Sequence, residues 1–344
     1  MMLGKQMSRE GQVMSGGHLV PHWPGRLIDL PGGDRVYVAS TSDPPEGRAA
    51  TRHSPGPEGN GVERNKAGEP VLCVHGMAGS ATNWTDFMAQ IAGAFDCDAI
   101  DLPGSGWSPP PATVAGYAIG PLASIVTRLI EHQGRGPVHL VGNSMGGLIS
   151  VRVAATRPDL VRSLTLISPA LPDRLIRPSV VRFPLLGLPK VGEWLLGRAD
   201  VFPAEPRVRM AMSAIFHDAA AVNPQRFREA VAEMERRVAL GYANESLAGA
   251  ARAITAEYLR PARSAANAWR LARAVSCPVL AIYGSHDRLV NPKMAGRAAR
   301  EFTDCHVIVL PSTGHVAQME HPSRVAAEFR EFARAAGRSR PVAA

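Results

Sequence analysis

Lysine is nearly absent from this chain. Of 38 basic residues only Lys5, Lys66, Lys190 and Lys293 are lysines, and the rest are arginines, a bias that reads as GC-rich coding sequence. No dense basic run occurs, and acidic residues are interspersed throughout. The net charge of +8 therefore lacks the clustered footprint of a nucleic-acid binder. Cysteine is equally sparse. The four at positions 73, 97, 277 and 305 form no CxxC pair and no zinc spacing, which excludes a disulfide scaffold and a zinc module. They read as small, reduced core residues on or near strands. Long apolar runs are missing too: nothing approaches the ~18–20 residues of a membrane span. Residues 1–17 contain no continuous apolar stretch of the signal-peptide kind. No membrane span and, by default, a cytoplasmic location are the expectations.

What is present is a large globular core. The 344 residues are 45% hydrophobic and 20% charged, enough for one α/β domain with a substantial insertion. Residues 1–24 read as a flexible tail. RLIDL (26–30) and RVYVAS (35–40) flank Pro-Gly-Gly-Asp, a hairpin signal. Residues 41–69 are rich in Pro, Gly, Ser and Glu and read as a flexible loop. From there apolar strand runs alternate with helical spacing. Strands are predicted at 70–76, 96–102, 137–144 and 163–168, with helices over 81–94, 118–133 and 145–157. This rhythm predicts a parallel sheet covered by helices on both faces. It breaks at Pro169, and 171–265 has helical character without a convincing strand. It resumes with strands at 277–285 and 306–312 and helices at 292–301 and 322–335. The expected domains are a core of 25–170 and 266–336, a helical cap of 171–265 and a tail of 337–344. Between 171 and 273 there are 16 basic against 10 acidic residues, so most of the net charge falls on the insertion. That charge reads as a solvated surface, or as a field that biases the approach of an anionic substrate or membrane.

Gly142-Asn143-Ser144-Met145-Gly146 closes an apolar strand and opens a helix. In that context Gly-x-Ser-x-Gly is a nucleophile elbow, a strained turn that lifts the serine hydroxyl above the sheet. A serine needs a base and a group to orient the base. Asp287 follows the strand CPVLAIYGS, and His315 follows HVIVLPS. Both strand ends face the crevice where side chains converge. The order Ser144, Asp287, His315 makes them the candidate catalytic set. His286 and His321 are weaker candidates because neither follows a strand end in the same way. His75-Gly76-Met77 after the strand PVLCV can offer a backbone N–H to an oxyanion, paired with that of the residue after the nucleophile. Met77 and Met145 are thus the candidate oxyanion donors, and His75 reads as a structural hydrogen-bonder. Trp84, Trp107, Val316 and Met319 are nominated for the substrate pocket. Leu185, Leu186, Trp194, Leu195 and Phe202 are apolar residues of the insertion, available to roof the site or to pack against the core, as is Phe183.

These strings, HGMAGS, DLPGSGWS (101–108), GNSMGG, the Asp287 turn and GHVAQMEHP (314–322), resemble the α/β-hydrolase superfamily over residues 25–336. The resemblance implies an α/β fold with a mostly parallel eight-stranded sheet and an inserted helical cap. It also implies acyl transfer without metal or dissociable cofactor. A small-molecule carboxylic ester with an apolar acyl or aromatic group is the expected substrate. GNSMGG and GHVAQMEH also resemble meta-cleavage-product hydrolases, which break a carbon–carbon bond. Thioester hydrolysis and haloperoxidase-like chemistry are further alternatives, and a non-catalytic binding protein of this fold is the alternative of a different class. The acyl chain length and oligomeric state are left open.

Overall fold

A computed structural model describes residues 20–42, 68–173 and 183–338. The tail before residue 20, most of the 41–69 loop, the start of the insertion (174–182, with the side chain of Phe183) and the last six residues lie outside it. Eight strands form one sheet: β1 Gly25–Asp29, β2 Arg35–Ser40, β3 Glu69–Val74, β4 Phe95–Ile100, β5 Val138–Asn143, β6 Val161–Ile167, β7 Val279–Gly284 and β8 Cys305–Leu310. Their order is β1-β2-β4-β3-β5-β6-β7-β8. The hairpin β1–β2 and the pairing of β2 with β4 are antiparallel, and all other pairings are parallel. The alternation predicts the parallel sheet, and eight strands in one mostly parallel sheet are what the resemblance to α/β-hydrolases implies.

β4, β5 and β7 are buried at every position, as strands covered on both faces must be. One face packs α2 Ile119–Gln133, α3 Met145–Thr156, α9 Ala268–Ala274 and α10 Met294–Glu301 into a cluster around Leu140, Leu164 and Tyr283. The other packs α1 Thr85–Ile91, α11 Ala317–Glu320 and α12 Pro322–Arg338 through Phe87, Phe95, Ala317 and Phe329. The helix predicted over 81–94 divides into a 3-10 turn, Ala81–Trp84, and the shorter α1. Cys73, Cys97 and Cys277 are buried, and none of the four cysteines forms a disulfide. Burial pushes the thiols of Cys73 and Cys97 well up, so they stay protonated.

Two boundaries differ from the sequence reading. Residues 20–24 are not loose. The His22 ring lies 2.7 Å from the Thr85 hydroxyl, Trp23 Nε1 donates to the Thr85 carbonyl at 3.1 Å, and Ser40 N donates to Pro24 O. These side chains find partners only once α1 is folded, which no local pattern signals. Between β6 and β7 come α4 Phe183–Leu186, α5 Val191–Ala199, α6 Ala204–Ile215, α7 Pro224–Ala239 and α8 Ala243–Leu259. α8 is not separable from the sheet domain. Ala250, Ala253 and Ile254 enter the main core cluster, and Ser246 Oγ lies 2.9 Å from Tyr117 Oη.

Leu185, Trp194 and Phe202 are exposed, at 47, 59 and 61%. For Leu185 and Trp194 the reason is backbone approach. A side chain on Gly192 would strike the Leu186 carbonyl, and one on Gly187 the Arg252 backbone. α4 and α5 dock through these glycines, which turns their large apolar side chains outward. Among the described residues no helix is long and apolar enough to cross a membrane. No group of three or more His, Cys, Asp or Glu there could hold a metal.

Candidate functional site

The ends of β3, β5, β7 and β8 open on one edge of the sheet, where the chain order reverses around β3. Ser144 sits between β5 and α3 with φ 54° and ψ −116°, a region that a side chain other than glycine rarely adopts. The flanking glycines permit it. A Cβ on Gly146 would lie 2.1 Å from the Val74 carbonyl, and one on Gly142 2.6 Å from the Gly146 carbonyl. β5, α3 and the end of β3 therefore meet at backbone distance, leaving Ser144 half-buried and reachable. Asn143, the residue between, clamps the turn: its Nδ2 donates to Ile167 O at 3.0 Å and to His315 O at 3.1 Å.

His315 and Asp287 meet although 28 residues separate them. His315 Nδ1 lies 2.9 Å from Asp287 Oδ2, and both residues are buried. The other carboxylate oxygen, Oδ1, accepts from Leu289 N at 2.8 Å and Val290 N at 2.9 Å. Burial works to raise the Asp287 pKa, but His315 beside it, with the Val290 amide, outweighs burial and holds it below the usual carboxylate value. The carboxylate is thus charged and fixes the imidazole with its proton on Nδ1, leaving Nε2 as the basic nitrogen. Among the described residues no hydrogen bond joins Ser144 Oγ to His315. Such contacts are often long before a substrate binds.

The His75 loop lies against the elbow. A Cβ on Gly76 would be 3.0 Å from Ser144 Cβ. His75 Nε2 accepts from Leu102 N at 3.0 Å, so its proton is on Nδ1 and points to Gly76 O at 2.7 Å. Burial lowers its pKa to about 4, so it is a neutral brace between loops. No group among the described residues accepts from the amides of Met77 or Met145. Asp101 ties the same loop down, accepting from Ala81 N at 2.6 Å and Trp107 N at 2.7 Å. Burial raises its pKa to about 6 against the pull of those two amides.

The pocket nominees separate. Val316 and Met319 belong to an apolar cluster with Met212 and Phe216 of the α6 region, directly beside His315. Trp84 has no exposed surface and packs edge-on against Phe87 in the core beneath α1. Trp107 is 57% exposed, with the Arg236 guanidinium 4.1 Å above its ring. Trp84 and Trp107 therefore stand apart from the cluster beside His315. His286 is exposed with its ring 4.1 Å from that of His217, tilted by 46°, and His321 is exposed beside Ser312 O. Neither reaches Asp287.

Several residues had no role in the sequence reading and acquire one here. Glu320 bridges two loops, accepting from Gly314 N at 2.8 Å and His217 N at 2.7 Å. His315 N donates to Ile215 O at 2.6 Å, and Arg288 reaches Ser213 O and Phe216 O. The C-terminal end of α6 is thereby bonded to the loop that carries His315. On α7, Arg237 donates to Ala78 O at 2.5 Å and Gly79 O at 3.0 Å, Arg236 to Gly106 O at 2.6 Å, and Arg226 to Asp86 at 2.6 Å. Arg236 and Arg237 fasten the insertion to the loops around the elbow and Arg226 fastens it to α1; these three are not a free field steering substrate. Glu320 stands within the GHVAQMEHP string, so the motif held its signal; the α7 arginines have none that one sequence could reveal.

A family model described as alpha/beta hydrolase fold matches residues 69–322. Over 101 residues the chain is 38% identical to the dihydrolipoyllysine-residue acetyltransferase component of the acetoin cleaving system of Cupriavidus necator, a match spanning 29% of this chain and 26% of that protein. It is 26% identical to Lipase 1 of Psychrobacter immobilis over 276 residues, 78% of each protein. Among solved structures it is similar to 2-hydroxy-6-oxo-6-phenylhexa-2,4-dienoate hydrolase from Rhodococcus sp. strain RHA1, with a TM-score of 0.67 at 20% identity, covering 90% of this chain and all of that one.

Proposed function

The chain belongs to the alpha/beta hydrolase fold family, and we propose that within it the protein is a serine hydrolase that cleaves carboxylic esters through an acyl-enzyme. The observation that carries the proposal is the buried Asp287–His315 pair at 2.9 Å, on the same sheet edge as a serine held at positive φ. In this reading His315 Nε2 takes the Ser144 hydroxyl proton as Oγ bonds to the ester carbonyl carbon. Asp287 stabilises the imidazolium that results. The oxyanion is met by the Met77 and Met145 amides, each worth roughly 2.7–4 kcal/mol if it behaves as measured donors do. Collapse breaks the bond to the alcohol, which leaves with the proton from His315. Water then repeats the sequence and releases the acid. The insertion between β6 and β7 serves as a cap over this centre, held by the α7 arginines.

Ester cleavage is chosen because it asks nothing of the site beyond these groups. A fluorophosphonate probe is expected to label Ser144 in the folded protein, with Ser144→Ala unlabelled and its turnover of p-nitrophenyl esters reduced by about 10⁴-fold or more. Turnover that persists in Ser144→Ala would sink the proposal. A dienoate diketone run beside the esters separates carbon–carbon from ester cleavage.

A further inference from the structure

Met77 supplies one of the two proposed oxyanion amides, and the backbone that follows it is strained. Ala78 has φ 60°, in the left-handed region that a residue with a Cβ rarely adopts. Gly79 N donates to Gly76 O at 3.1 Å, so Met77 and Ala78 are the two central residues of a tight turn. A strained conformation persists only where its surroundings over-determine it. The core holds the loop on either side of this turn. His75 joins Leu102 N to Gly76 O, and beyond the turn Asn83 Oδ1 accepts from Ser80 N at 2.9 Å and Asp101 Oδ1 from Ala81 N at 2.6 Å. The carbonyls of the turn itself are held from the insertion. Arg237 Nη1 donates to Ala78 O at 2.5 Å and Nη2 to Gly79 O at 3.0 Å. One turn earlier on α7, Glu233 accepts from Arg237 Nε at 2.8 Å, which orients the guanidinium and leaves its two outer nitrogens for the carbonyls.

We infer that Arg237 is a positioning residue for the oxyanion site: by holding the Ala78 and Gly79 carbonyls it keeps Ala78 at positive φ, and so keeps the Met77 N–H aimed at the carbonyl oxygen of the substrate. The inference rests on the serine-hydrolase reading and gives a residue of the insertion a part in the reaction, through the loop backbone and not on the reacting atoms. Rotation of Ala78 out of the left-handed region swings its carbonyl, so the bond to Arg237 opposes that relaxation directly. One planar fork grips the carbonyls of two successive residues, which fixes their orientation as well as their distance; a point donor such as an ammonium cannot do both. The turn also lies against the elbow, since a Cβ on Gly76 would be 3.0 Å from Ser144 Cβ. A shift of the turn is therefore a shift of the donor relative to the nucleophile. An oxyanion donor works only within about 2.7–3.1 Å of the oxygen where charge develops, so a small rotation is enough to lose it. Docking of α7 thereby becomes a condition for catalysis.

The test sets Arg237→Ala beside Arg236→Ala. Each removes one attachment of α7, but Arg236 bonds to Gly106 O and not to the Met77 turn. Arg237→Ala is expected to lower kcat for p-nitrophenyl acetate by about 10- to 100-fold with KM within about twofold, and Arg236→Ala to keep kcat within about twofold. The readout specific to the oxyanion site is the preference for p-nitrophenyl acetate over O-p-nitrophenyl thionoacetate, whose sulfur is a weak hydrogen-bond acceptor. The ratio of the two kcat/KM values is expected to fall about tenfold in Arg237→Ala and to stay at the wild-type value in Arg236→Ala. Dilute guanidinium is expected to restore kcat of Arg237→Ala about threefold where equal sodium chloride does not, because it offers the same two-donor fork. Should the alanine variant not fold, Arg237→Lys carries the same comparison with a smaller fall in the ratio. Folded Arg237 variants with the wild-type ratio, or with the kcat of Arg236→Ala, would overturn the inference. So would a wild type that labels at Ser144 yet cleaves ester and thionoester alike, because it has no oxyanion donor to position. Failure of a fluorophosphonate to label Ser144 in wild type is a failure of the serine-hydrolase reading, distinct from these results.

Discussion

Glu320→Ala would break the bridge between the His315 loop and α6. The carboxylate accepts two backbone N–H groups, from Gly314 at 2.8 Å and His217 at 2.7 Å. Hydrogen bonds to a charged acceptor contribute about 1.5–3 kcal/mol each. Glu320 is partly exposed, so water replaces some of what is lost and the lower figure applies. The expected destabilisation is about 3 kcal/mol for alanine and about half for Glu320→Gln, which keeps one carbonyl oxygen. Gly314 cannot compensate by moving toward α6: a Cβ there would already lie 2.5 Å from the Ile215 carbonyl. Activity should fall as well, because His315 follows Gly314 directly. A displacement of about 1 Å at a reacting group can cost on the order of 100-fold. The fall is expected in kcat more than in KM, since the group displaced is the base. Urea denaturation gives the stability change, and p-nitrophenyl ester kinetics give the split. An alanine variant within about 0.5 kcal/mol of wild type, an ordinary surface value, with unchanged kcat would refute the reasoning.

Two further outcomes follow from packing and titration. Gly146→Ala places a methyl group 2.1 Å from the Val74 carbonyl and 2.5 Å from that of His75, where only backbone can yield; a loss of about 3 kcal/mol or more is expected in thermal melts. His75 and Asp101 oppose each other in acid. His75 is lowered to about 4, so the unfolded chain binds its proton first; its contribution is complete above pH 6.5 and is lost as pH falls toward 4. Asp101 is raised to about 6, so its contribution is complete below pH 3.8 and is lost as pH rises toward 6. Each is worth up to about 3 kcal/mol at 1.36 kcal/mol per pKa unit. Removing one unmasks the other: Asp101→Asn should lose stability more steeply than wild type between pH 6 and 4, and equal slopes in urea titrations would contradict this assignment.

The chemistry of the candidate site was legible in the chain because it is carried by local signals. Gly-x-Ser-x-Gly is a statement about five consecutive backbones, and the Asp287 and His315 turns each follow an apolar run at a strand end. The hairpin and the alternating rhythm were legible for the same reason: a period of two or 3.6 residues records which face is buried. Trp84 and Trp107 show the limit. Their positions beside promising loops were visible, but whether a tryptophan faces a cavity, a core or solvent depends on what packs across from it. The insertion shows it again. Its helices were legible as helices, yet Leu185 and Trp194 face water because glycines bring α4 and α5 to their neighbours by backbone.

Sequence alone therefore determined the class of fold, the order of strands and helices, and which serine, aspartate and histidine are candidates to act together. Tertiary structure decided how the insertion is held. The arginines of α7 bond to carbonyls of the Ala78–Gly79 and Gly106 loops, Glu320 joins Gly314 to His217, and α8 merges with the main core. The physical reason is that a backbone carbonyl carries no residue identity. An arginine that satisfies one more than 100 positions away leaves no pattern in the chain, and its partner exists only when the fold brings the two together.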